Sequence, residues 1–299
     1  MEIFSELNKN SNLSLALGYF DGVHKGHQAV ISKAVEYAKT CGTKSAVITF
    51  KDHPCCFFWG VCPKYILSRE ARRAKIAELG VDYIYELDFA DLSSYSAEDY
   101  LTEILIGNFS PVAISTGFNH HFGSKKSGDT VYLAANAEKF GYKYFMTEAA
   151  KCNDEIISST IIRKALSDGN IEFANNMLGY RFPVTGEVVK GCQLGRKIGF
   201  KTANMCYPPE LIDLPFGAYA TKVNIDGVYY DSVTNFGIKP TVSSENFCTL
   251  ETHILNFDED IYGKQITVEF VKMIRKEQKF ASVNELKIQI EKDIVEVYS

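Results

Sequence analysis

The strongest constraint on this chain is a change of pattern after its first half. Through roughly the first 150 residues, apolar strand-like runs alternate with segments of helical spacing. Such alternation predicts a parallel sheet with helices on both faces. From Phe182 onward the strand-like runs follow one another without helices, which predicts a small antiparallel barrel or sandwich. We therefore expect two domains, residues 1–180 and 181–299, with the boundary near Tyr180–Phe182.

Individual elements of the α/β part can be placed from apolar runs and cap residues. The predicted strands are Leu13–Leu17, Ala46–Phe50, Tyr83–Leu87, Val112–Thr116 and Tyr142–Met146. Helices are predicted where a cap residue opens an amphipathic segment. These helices are His27–Lys39, Ser68–Gly80, one from Ser96, one after Asp129, Thr160–Leu166 and Ile171–Leu178.

The β part contains five predicted strands and one closing helix. The strands are Val184–Val189, Tyr219–Ile225, Val228–Phe236, Leu250–Leu255 and Ile266–Ile274. Asp226-Gly227 predicts a tight hairpin, because both residues tolerate positive φ. Ser282 and Glu285 form a capping box for the last helix, and its predicted apolar face is Leu286, Ile290 and Val297.

Composition excludes several classes of protein. The 299 residues carry 32 basic and 37 acidic side chains, a net charge of −5, so no nucleic-acid partner is expected. No apolar run approaches the roughly 20 residues that span a bilayer, so no membrane partner is expected. The N-terminus lacks the pattern of a secretory signal, which predicts a cytoplasmic protein. A monomer or weak oligomer is expected. The eight cysteines form no CxxC pair and are expected to be reduced and mostly buried.

The segment Gly18–His27, GYFDGVHKGH, follows the first predicted strand and opens the first predicted helix. Glycines let a backbone approach a ligand closely, and a helix N-terminus favours anions. His24 and His27 lie near that terminus, where both can donate hydrogen bonds to phosphate oxygens. The alternative is a glycine-rich turn with one buried histidine. The paired His-x-Gly-His in this strand–turn–helix context favours phosphate binding.

This segment resembles the H-x-G-H signature of the nucleotidyltransferase superfamily. Its fuller form is similar to the N-terminal module of bacterial bifunctional riboflavin kinase/FAD synthetases. Four later stretches support the resemblance, namely Thr49–Pro54 (T-F-x-x-H-P), Gly117–Gly123, Gly128-Asp129 and Ile157–Arg163 (S-S-T-x-I-R). The resemblance implies a Rossmann-like nucleotidyltransferase fold and transfer of AMP from ATP to FMN.

Adenylyl transfer needs no side-chain nucleophile, because the FMN phosphate itself attacks the α-phosphate of ATP. Catalysis then comes from positioning and from neutralising charge on the pyrophosphate leaving group. His24, His27 and Arg163 are expected to supply that charge stabilisation. The resemblance implies ATP binding by Gly18, Phe20, Asp21, Gly26, Ser158, Ser159 and Thr160. It implies flavin binding by His53, Pro54, Asn119 and Phe122. Ser158–Thr160 can also be a simple helix N-cap, and both roles can hold together.

The β part contains Gly191 and then Gly195–Asn204, GRKIGFKTAN. This resembles the riboflavin kinase pattern G-R-x-x-G-F-P-T-A-N. The implied ATP-binding residues are Gly191, Gly195, Arg196, Gly199, Thr202 and Asn204. Thr202 and Asn204 are also the implied Mg²⁺ ligands, since magnesium prefers hard oxygen donors. Lys201 replaces the usual proline, a departure that could loosen the loop because proline presets φ.

Two further stretches carry the kinase resemblance. Asn235–Thr241 resembles N-x-G-x-x-P-T, and Glu251–Gly263 resembles E-x-H-x-x-x-F-x-x-D-x-Y-G. The family's first glutamate takes the proton from the terminal ribityl hydroxyl, which implies that Glu251 is the base. The alternative for Glu251 is a cross-strand surface carboxylate. Asn235 and Arg275 are expected to bind the flavin.

The resemblance thus implies one bifunctional enzyme with riboflavin, FMN, FAD and ATP as its ligands. It phosphorylates riboflavin in the C-terminal domain and adenylylates FMN in the N-terminal domain, both with MgATP. One alternative is an adenylyltransferase for another phosphate ester, whose relatives lack the G-R…T-A-N module. Another is a non-catalytic flavin-binding or regulatory protein, toward which only Lys201 points. An RNA-binding role is disfavoured, because no basic, aromatic-rich face is visible.

Overall fold

The N-terminal sheet has six parallel strands in the order β1-β4-β3-β2-β5-β8. The structure is a computed structural model that describes residues 1–191, 199–239 and 247–298. The strands of this sheet are β1 (Glu2–Phe4), β2 (Leu13–Leu17), β3 (Lys44–Phe50), β4 (Tyr83–Leu87), β5 (Ala113–Gly117) and β8 (Lys143–Thr147). The parallel α/β fold predicted from the alternation of strands and helices is confirmed. The edge strand β1 was not predicted from the sequence, because it is only three residues long and mostly exposed.

Helices connect these strands, and short antiparallel pairs decorate the loops. The helices are α1 (Lys25–Cys41), α2 (Pro54–Trp59), α3 (Arg69–Glu78), α4 (Phe89–Leu92), α5 (Ala97–Asp99), α6 (Gly107–Phe109) and α7 (Thr130–Phe140). A π-helical stretch, Tyr100–Ile106, joins α5 to α6, and a 3₁₀ turn spans Ser124–Lys126. The short pairs are β6 (His121–Phe122) with β7 (Gly128–Asp129), and β9 (Lys151–Cys152) with β10 (Glu155–Ile156).

The predicted caps position the helices over the sheet. Ser96 Oγ accepts a hydrogen bond from the Asp99 amide at 3.1 Å, and Asp129 Oδ1 accepts one from the Tyr132 amide at 2.8 Å. Satisfying these terminal N–H groups fixes where each helix begins. The inner faces of the helices and strands then form one apolar core that includes Leu15 and Phe109, both fully buried.

The C-terminal sheet is antiparallel, with the order β11-β16-β13-β14-β15-β12. Its strands are β11 (Phe182–Glu187), β12 (Ala203–Cys206), β13 (Gly217–Ile225), β14 (Val228–Lys239), β15 (Phe247–Ile254) and β16 (Gln265–Lys276). The predicted hairpin is present, with φ of 51° at Asp226 and 89° at Gly227. The Val189 amide also donates to the Asn204 carbonyl at 2.8 Å, which brings the two edges of the sheet together into the predicted small barrel.

Among the described residues, this half also contains the helices α8 (Ser159–Ser167), α9 (Ile171–Leu178) and α10 (Val283–Val297). Both polar atoms of the Asn175 side-chain amide in α9 form hydrogen bonds to barrel strands. Its Nδ2 donates to the Phe270 carbonyl at 2.9 Å, and its Oδ1 accepts from the Phe182 amide at 2.8 Å. Helix α9 is therefore an integral part of the barrel's packing.

Contacts divide the chain into two compact units. The first contains Met1–Pro63 and Arg69–Ser159, and the second contains Lys64–Ser68 and Thr160–Ser299. The short segment Lys64–Ser68 belongs to the second unit because Tyr65 forms a parallel bridge with Leu211. No local pattern in the sequence signals that long-range addition.

The terminal helix differs from prediction in what it buries. Ser282 Oγ accepts from the Glu285 amide at 3.2 Å, whereas Glu285 Oε2 accepts from the Ala281 amide at 3.0 Å, so the N-cap is present and the reciprocal bond goes to the residue before it. Leu286, Ile290 and Val297, the predicted apolar face, are only half-buried. The buried residue of α10 is Asp293, which lies on the same stripe and is paired with a cation.

The cysteine expectation is partly wrong. Cys56 and Cys62 form a disulfide that closes a short loop after α2. Cys41 and Cys206 are free but exposed rather than buried. None of the helices in the described part of the chain is long and apolar enough to cross a membrane.

Candidate functional site

The glycine-rich loop after β2 has an unusual backbone. Phe20 has a φ of 60° and Val23 a φ of 32°, a region that side chains with a Cβ rarely occupy, and Gly22 has a φ of 75°. The Phe20 ring folds back over Gly18, where an added Cβ would lie 2.8 Å from the ring. The loop is therefore a specific, strained conformation that contacts elsewhere must maintain.

His24 caps helix α1 through its imidazole. Its Nδ1 accepts a hydrogen bond from the His27 amide at 3.3 Å, so the ring proton of the neutral form resides on Nε2. Burial lowers the pKa of His24 to about 4, which keeps the ring neutral near pH 7. Neutral His24 thus offers one N–H donor, a group suited to a phosphate oxygen.

His27 and the Ser-Ser-Thr segment lie beside the same loop. The His27 ring stacks on His24 with centroids 3.5 Å apart and meets the edge of Phe20 at 5.3 Å. Ser159 Oγ donates to the Asp21 carbonyl at 2.9 Å. The structure therefore brings together the H-x-G-H loop and the start of the S-S-T segment, which includes the half-buried Ser158. Gly26 lies in the first turn of α1 against the His24 ring.

The T-F-x-x-H-P segment at the end of β3 borders this loop. Thr49 Oγ1 donates to the Tyr19 carbonyl at 3.0 Å, and the Tyr19 ring meets His53 edge-on at 4.9 Å. His53 caps α2 by accepting from the Cys55 amide at 3.1 Å, and Pro54 is the first residue of that helix. The carboxyl ends of β2 and β3 thus converge, as expected for ligand sites on a parallel sheet.

The loop after β5 has a buried and an exposed side. Phe122 is packed in the core, and an added Cβ on Gly128 would lie 2.4 Å from its ring, so glycine is required there. Burial, with His121 nearby, lowers the pKa of His120 to about 4. Asn119 is exposed on the same loop.

Thr160 and Arg163 belong to the second compact unit. Thr160 is exposed at the start of α8. Arg163 lies on the same helix, and its Nε donates to the Lys64 carbonyl at 2.9 Å. The guanidinium therefore helps to anchor the segment Lys64–Ser68 within its own unit.

The barrel places its predicted site residues on one row across five strands. Asn204 on β12 is paired with Glu251 on β15, which is paired with Asn235 on β14. Asn235 is paired with Ala218 on β13, and Ala218 with Arg275 on β16. Directly paired residues project from the same face of a sheet. The half-buried Glu251 therefore lies between Asn204 and Asn235 on one face of the sheet.

A cavity of about 180 Å³ opens beside the Asn204 end of this row. Its lining includes Thr202, Asn204 and the acidic loop Asp258–Asp260. Asn204 Nδ2 lies 3.4 Å from Thr202 Oγ1, so the side chains of the two predicted Mg²⁺ ligands are adjacent. Hard, uncharged oxygens that leave room for water and phosphate fit Mg²⁺.

Two contacts of Lys201 hold the loop before β12. A proline at this position could form the first, through its backbone carbonyl, but not the second, which needs the ammonium group. His253 Nδ1 donates to the Lys201 carbonyl at 2.8 Å, and the Lys201 ammonium pairs with Asp258. Gly191 lies against Asn204, where an added Cβ would be 2.4 Å from Oδ1. Gly199 has a φ of 95°. Gly195, Arg196, Pro240 and Thr241 lie outside the described residues.

Comparison with known proteins finds a family match for each half of the chain. A family model described as FAD synthetase matches residues 6–161, and one described as riboflavin kinase matches residues 178–299. The bifunctional riboflavin kinase/FMN adenylyltransferase of Listeria monocytogenes is 33% identical over 94% of this chain and 90% of its own length. The chain belongs to this bifunctional family. The resemblance inferred from the motifs is confirmed.

Other members of the riboflavin kinase/FMN adenylyltransferase family match over a similar extent. The Bacillus subtilis member is 36% identical over 93% of this chain and 89% of its own length. A crystal structure described as a macrolide-efflux protein from Streptococcus pneumoniae has a TM-score of 0.88 at 31% identity. That match covers 100% of this chain and 98% of the other, so the fold is shared over the whole length.

For a riboflavin kinase/FMN adenylyltransferase, the structure adds residues that motif comparison overlooked. Arg72 of α3 contacts the Tyr19 carbonyl, and Asp293 of α10 holds Arg275. The only sequence signal for Arg72 is that it lies four residues before the buried Ile76, on the inner face of its helix. Asp293 similarly interrupts an apolar stripe. A charged residue on an otherwise apolar helix face is therefore a sequence signal for a buried ion pair.

Proposed function

We propose that this chain converts riboflavin to FMN and FMN to FAD, using MgATP in both steps. The observation that carries the proposal is the strand register that pairs Glu251 with both Asn204 and Asn235, where Asn204 also lines a cavity. That geometry suits a base acting on a hydroxyl next to a bound nucleotide phosphate. The match to both family modules supports assigning riboflavin and ATP as the substrates.

In the kinase step, Glu251 accepts the proton of the terminal ribityl hydroxyl. The hydroxyl oxygen then attacks the γ-phosphorus of ATP, and ADP leaves. Thr202 and Asn204 would hold Mg²⁺, which when bound neutralises charge on the phosphates. Gly191 and Gly199, with Gly195 and Arg196, are the proposed ATP-binding residues. Asn235 and Arg275 are proposed to orient the flavin.

In the adenylyl transfer step, an FMN phosphate oxygen attacks the α-phosphorus of ATP, and pyrophosphate leaves. His24 donates its Nε2 proton in a hydrogen bond to phosphate, and His27 stacked on it lies at the same helix N-terminus. Ser158, Ser159, Thr160 and Arg163 are proposed to complete the phosphate site. The backbone of Gly18, Phe20, Asp21 and Gly26 lines the proposed ATP loop, and His53, Pro54, Asn119 and Phe122 are proposed to border the flavin.

We also propose that the two activities reside in residues 1–180 and 181–299 and that the enzyme works in the cytoplasm as a monomer or weak oligomer. Its proposed ligands are small phosphates and flavins rather than nucleic acid or membranes. The local character of both phosphate sites supports this, because neither requires the whole chain to be basic.

The decisive experiment incubates the purified chain with riboflavin and MgATP and resolves the flavins by chromatography. FMN followed by FAD is the expected result. Tight flavin binding without turnover would indicate a regulatory protein, and adenylylation of another acceptor without flavin turnover would indicate a different substrate.

The Glu251→Gln variant separates the two sites within one chain. It is expected to lose FMN formation by a factor on the order of 10² to 10⁴, because the amide cannot accept the proton. FAD formation from supplied FMN is expected to continue at the parent rate, and an unchanged melting temperature of the barrel serves as the control for folding, because Glu251 lies in the second compact unit. Retained kinase activity would contradict the assignment of Glu251 as base.

A further inference from the structure

Arg72 is a buried cation with several partners that the proposed chemistry does not use. It lies on α3 with 3% of its surface exposed. Its Nη2 donates to the Phe50 carbonyl at 2.9 Å and lies 3.4 Å from Glu86 Oε1. Its Nη1 donates to the Tyr19 carbonyl at 3.3 Å. One guanidinium thus joins the ends of two neighbouring strands.

The Tyr19 carbonyl is the critical point of this arrangement. It accepts from both Arg72 and Thr49, and the next residue, Phe20, has a φ of 60°. A strained residue keeps its conformation only when surrounding contacts determine it. Two hydrogen-bond donors on the Tyr19 carbonyl fix the plane of the Tyr19–Phe20 peptide. The orientation of this plane determines the direction in which the backbone continues through Phe20.

The orientation of Phe20 affects the position of the histidines through ring contacts. The Phe20 ring meets His27 at 5.3 Å, and His27 stacks on His24 at 3.5 Å. Arg72 also lies 4.7 Å from the centroid of the Tyr19 ring, whose edge meets His53. Arg72 therefore contacts Tyr19, whose ring meets His53 directly and whose peptide leads into Phe20, the residue that meets His27.

We propose that Arg72 is a positioning residue for adenylyl transfer, which fixes the strained Tyr19–Phe20 peptide and so aligns His24 and His27. The proposal rests on the proposed adenylyltransferase activity. Arginine suits this role because its planar fork donates in several fixed directions and stacks on an aromatic ring. A lysine keeps the charge but is a point donor on a flexible stem.

The test compares Arg72→Lys with Arg73→Lys in the full-length chain. Arg73 shares the Glu86 partner, with its Nε 3.1 Å from Oε2, but has no bond to Tyr19, so it is a matched control. We expect Arg72→Lys to lower kcat for FAD formation about tenfold to hundredfold, since small misalignments have effects of that size. KM for FMN and ATP is expected to change less than threefold, because Arg72 does not touch substrate. Arg73→Lys is expected to stay within twofold of the parent.

Thermal unfolding followed by circular dichroism reports whether the first compact unit, which contains Arg72 and Thr49, is folded in each variant, and riboflavin kinase activity reports only on the second unit. If Arg72→Lys does not fold, Thr49→Val tests the same carbonyl from its other donor, and Thr49→Ser restores the hydroxyl. We expect loss of FAD formation with valine and recovery with serine. Equal losses in Arg72→Lys and Arg73→Lys, or full activity in Thr49→Val, would overturn the proposal. A parent chain that forms FMN but no FAD would overturn the proposed adenylyltransferase itself, whatever the variants do.

Discussion

Arg275 holds Asp293 through three hydrogen bonds, the shortest joining Nη2 to Oδ2 at 2.8 Å. Asp293 is 1% exposed, and Gln289 donates a further bond to it at 2.8 Å. The pair therefore attaches the terminal helix to β16 at the end of the row that contains Glu251. Its carboxylate is the one buried side chain along the described α10.

Asp293→Ala is expected to lower the free energy of unfolding of the barrel by about 2–4 kcal/mol, because it leaves a partly buried guanidinium without its anion. Chemical denaturation measures this. Glu296→Ala is the matched control, since Glu296 lies on the same helix and its pair with Lys272, at 3.7 Å, is more exposed. That change is expected to cost less than about 1 kcal/mol. Equal effects would show that the pair does not anchor the helix.

The lowered pKa of His24 predicts a pH dependence of stability. Between pH 6.5 and about 4, an unfolded-state histidine binds a proton that folded His24 does not. The free energy of unfolding should therefore fall as the pH drops through that range, by about 3 kcal/mol for this group. His24→Asn keeps a cap acceptor but does not titrate, so its stability should fall less over the same range. Parallel stability curves for parent and variant would contradict the pKa shift.

Gly191→Ala is predicted to impair the kinase selectively. The new Cβ would displace the Asn204 amide, which lies beside Thr202 in the proposed Mg²⁺ site. We expect at least about a tenfold loss of FMN formation, since positioning at such sites is sensitive to small shifts. Gly227→Ala, at a hairpin tip with open space around it, is the control for replacing a glycine in this unit. It should cost about 1 kcal/mol of stability and leave the kinase active.

Fragments of the barrel half are predicted to differ in stability with their starting residue. Helix α9 buries Ile171, Ala174, Met177 and Leu178 against the barrel. Full burial of a large apolar side chain contributes about 1.5–3 kcal/mol. A fragment of residues 160–299 should therefore melt at a higher temperature than one of residues 181–299. Equal melting temperatures would show that α9 is dispensable and would favour the later boundary.

The sequence predicts most elements because local apolar runs determine them. Strands β2 and β4 have the predicted bounds, and α9 begins and ends where its caps indicate. Strand β12 escaped prediction because its residues were interpreted only as a ligand motif. It is a short edge strand whose pairing with β15 comes from distant sequence.

The sequence supplies a set of candidate site residues but not their geometry. The motifs contain His24, Glu251 and Asn204, yet nothing local indicates that Glu251 is opposite Asn204. The burial of the charged side chains of Arg72 and Asp293 was not predicted, for a related reason. Each is buried only because a partner far along the chain compensates its charge, and a helical pattern alone contains no information about that partner.

The row of paired residues in the barrel makes the proposed kinase site sensitive to the pairing register of its strands. Side chains alternate between the two faces of a strand, so sliding β15 by one residue would send Glu251 to the opposite face from Asn204 and Asn235. Deleting a single residue within β15 would thus dismantle the site without changing any of its members. Insertions in the turns outside the strands would leave the alignment intact. During divergence, this enzyme can therefore vary the length of connections that contain no site residue, but not the phase of its strands.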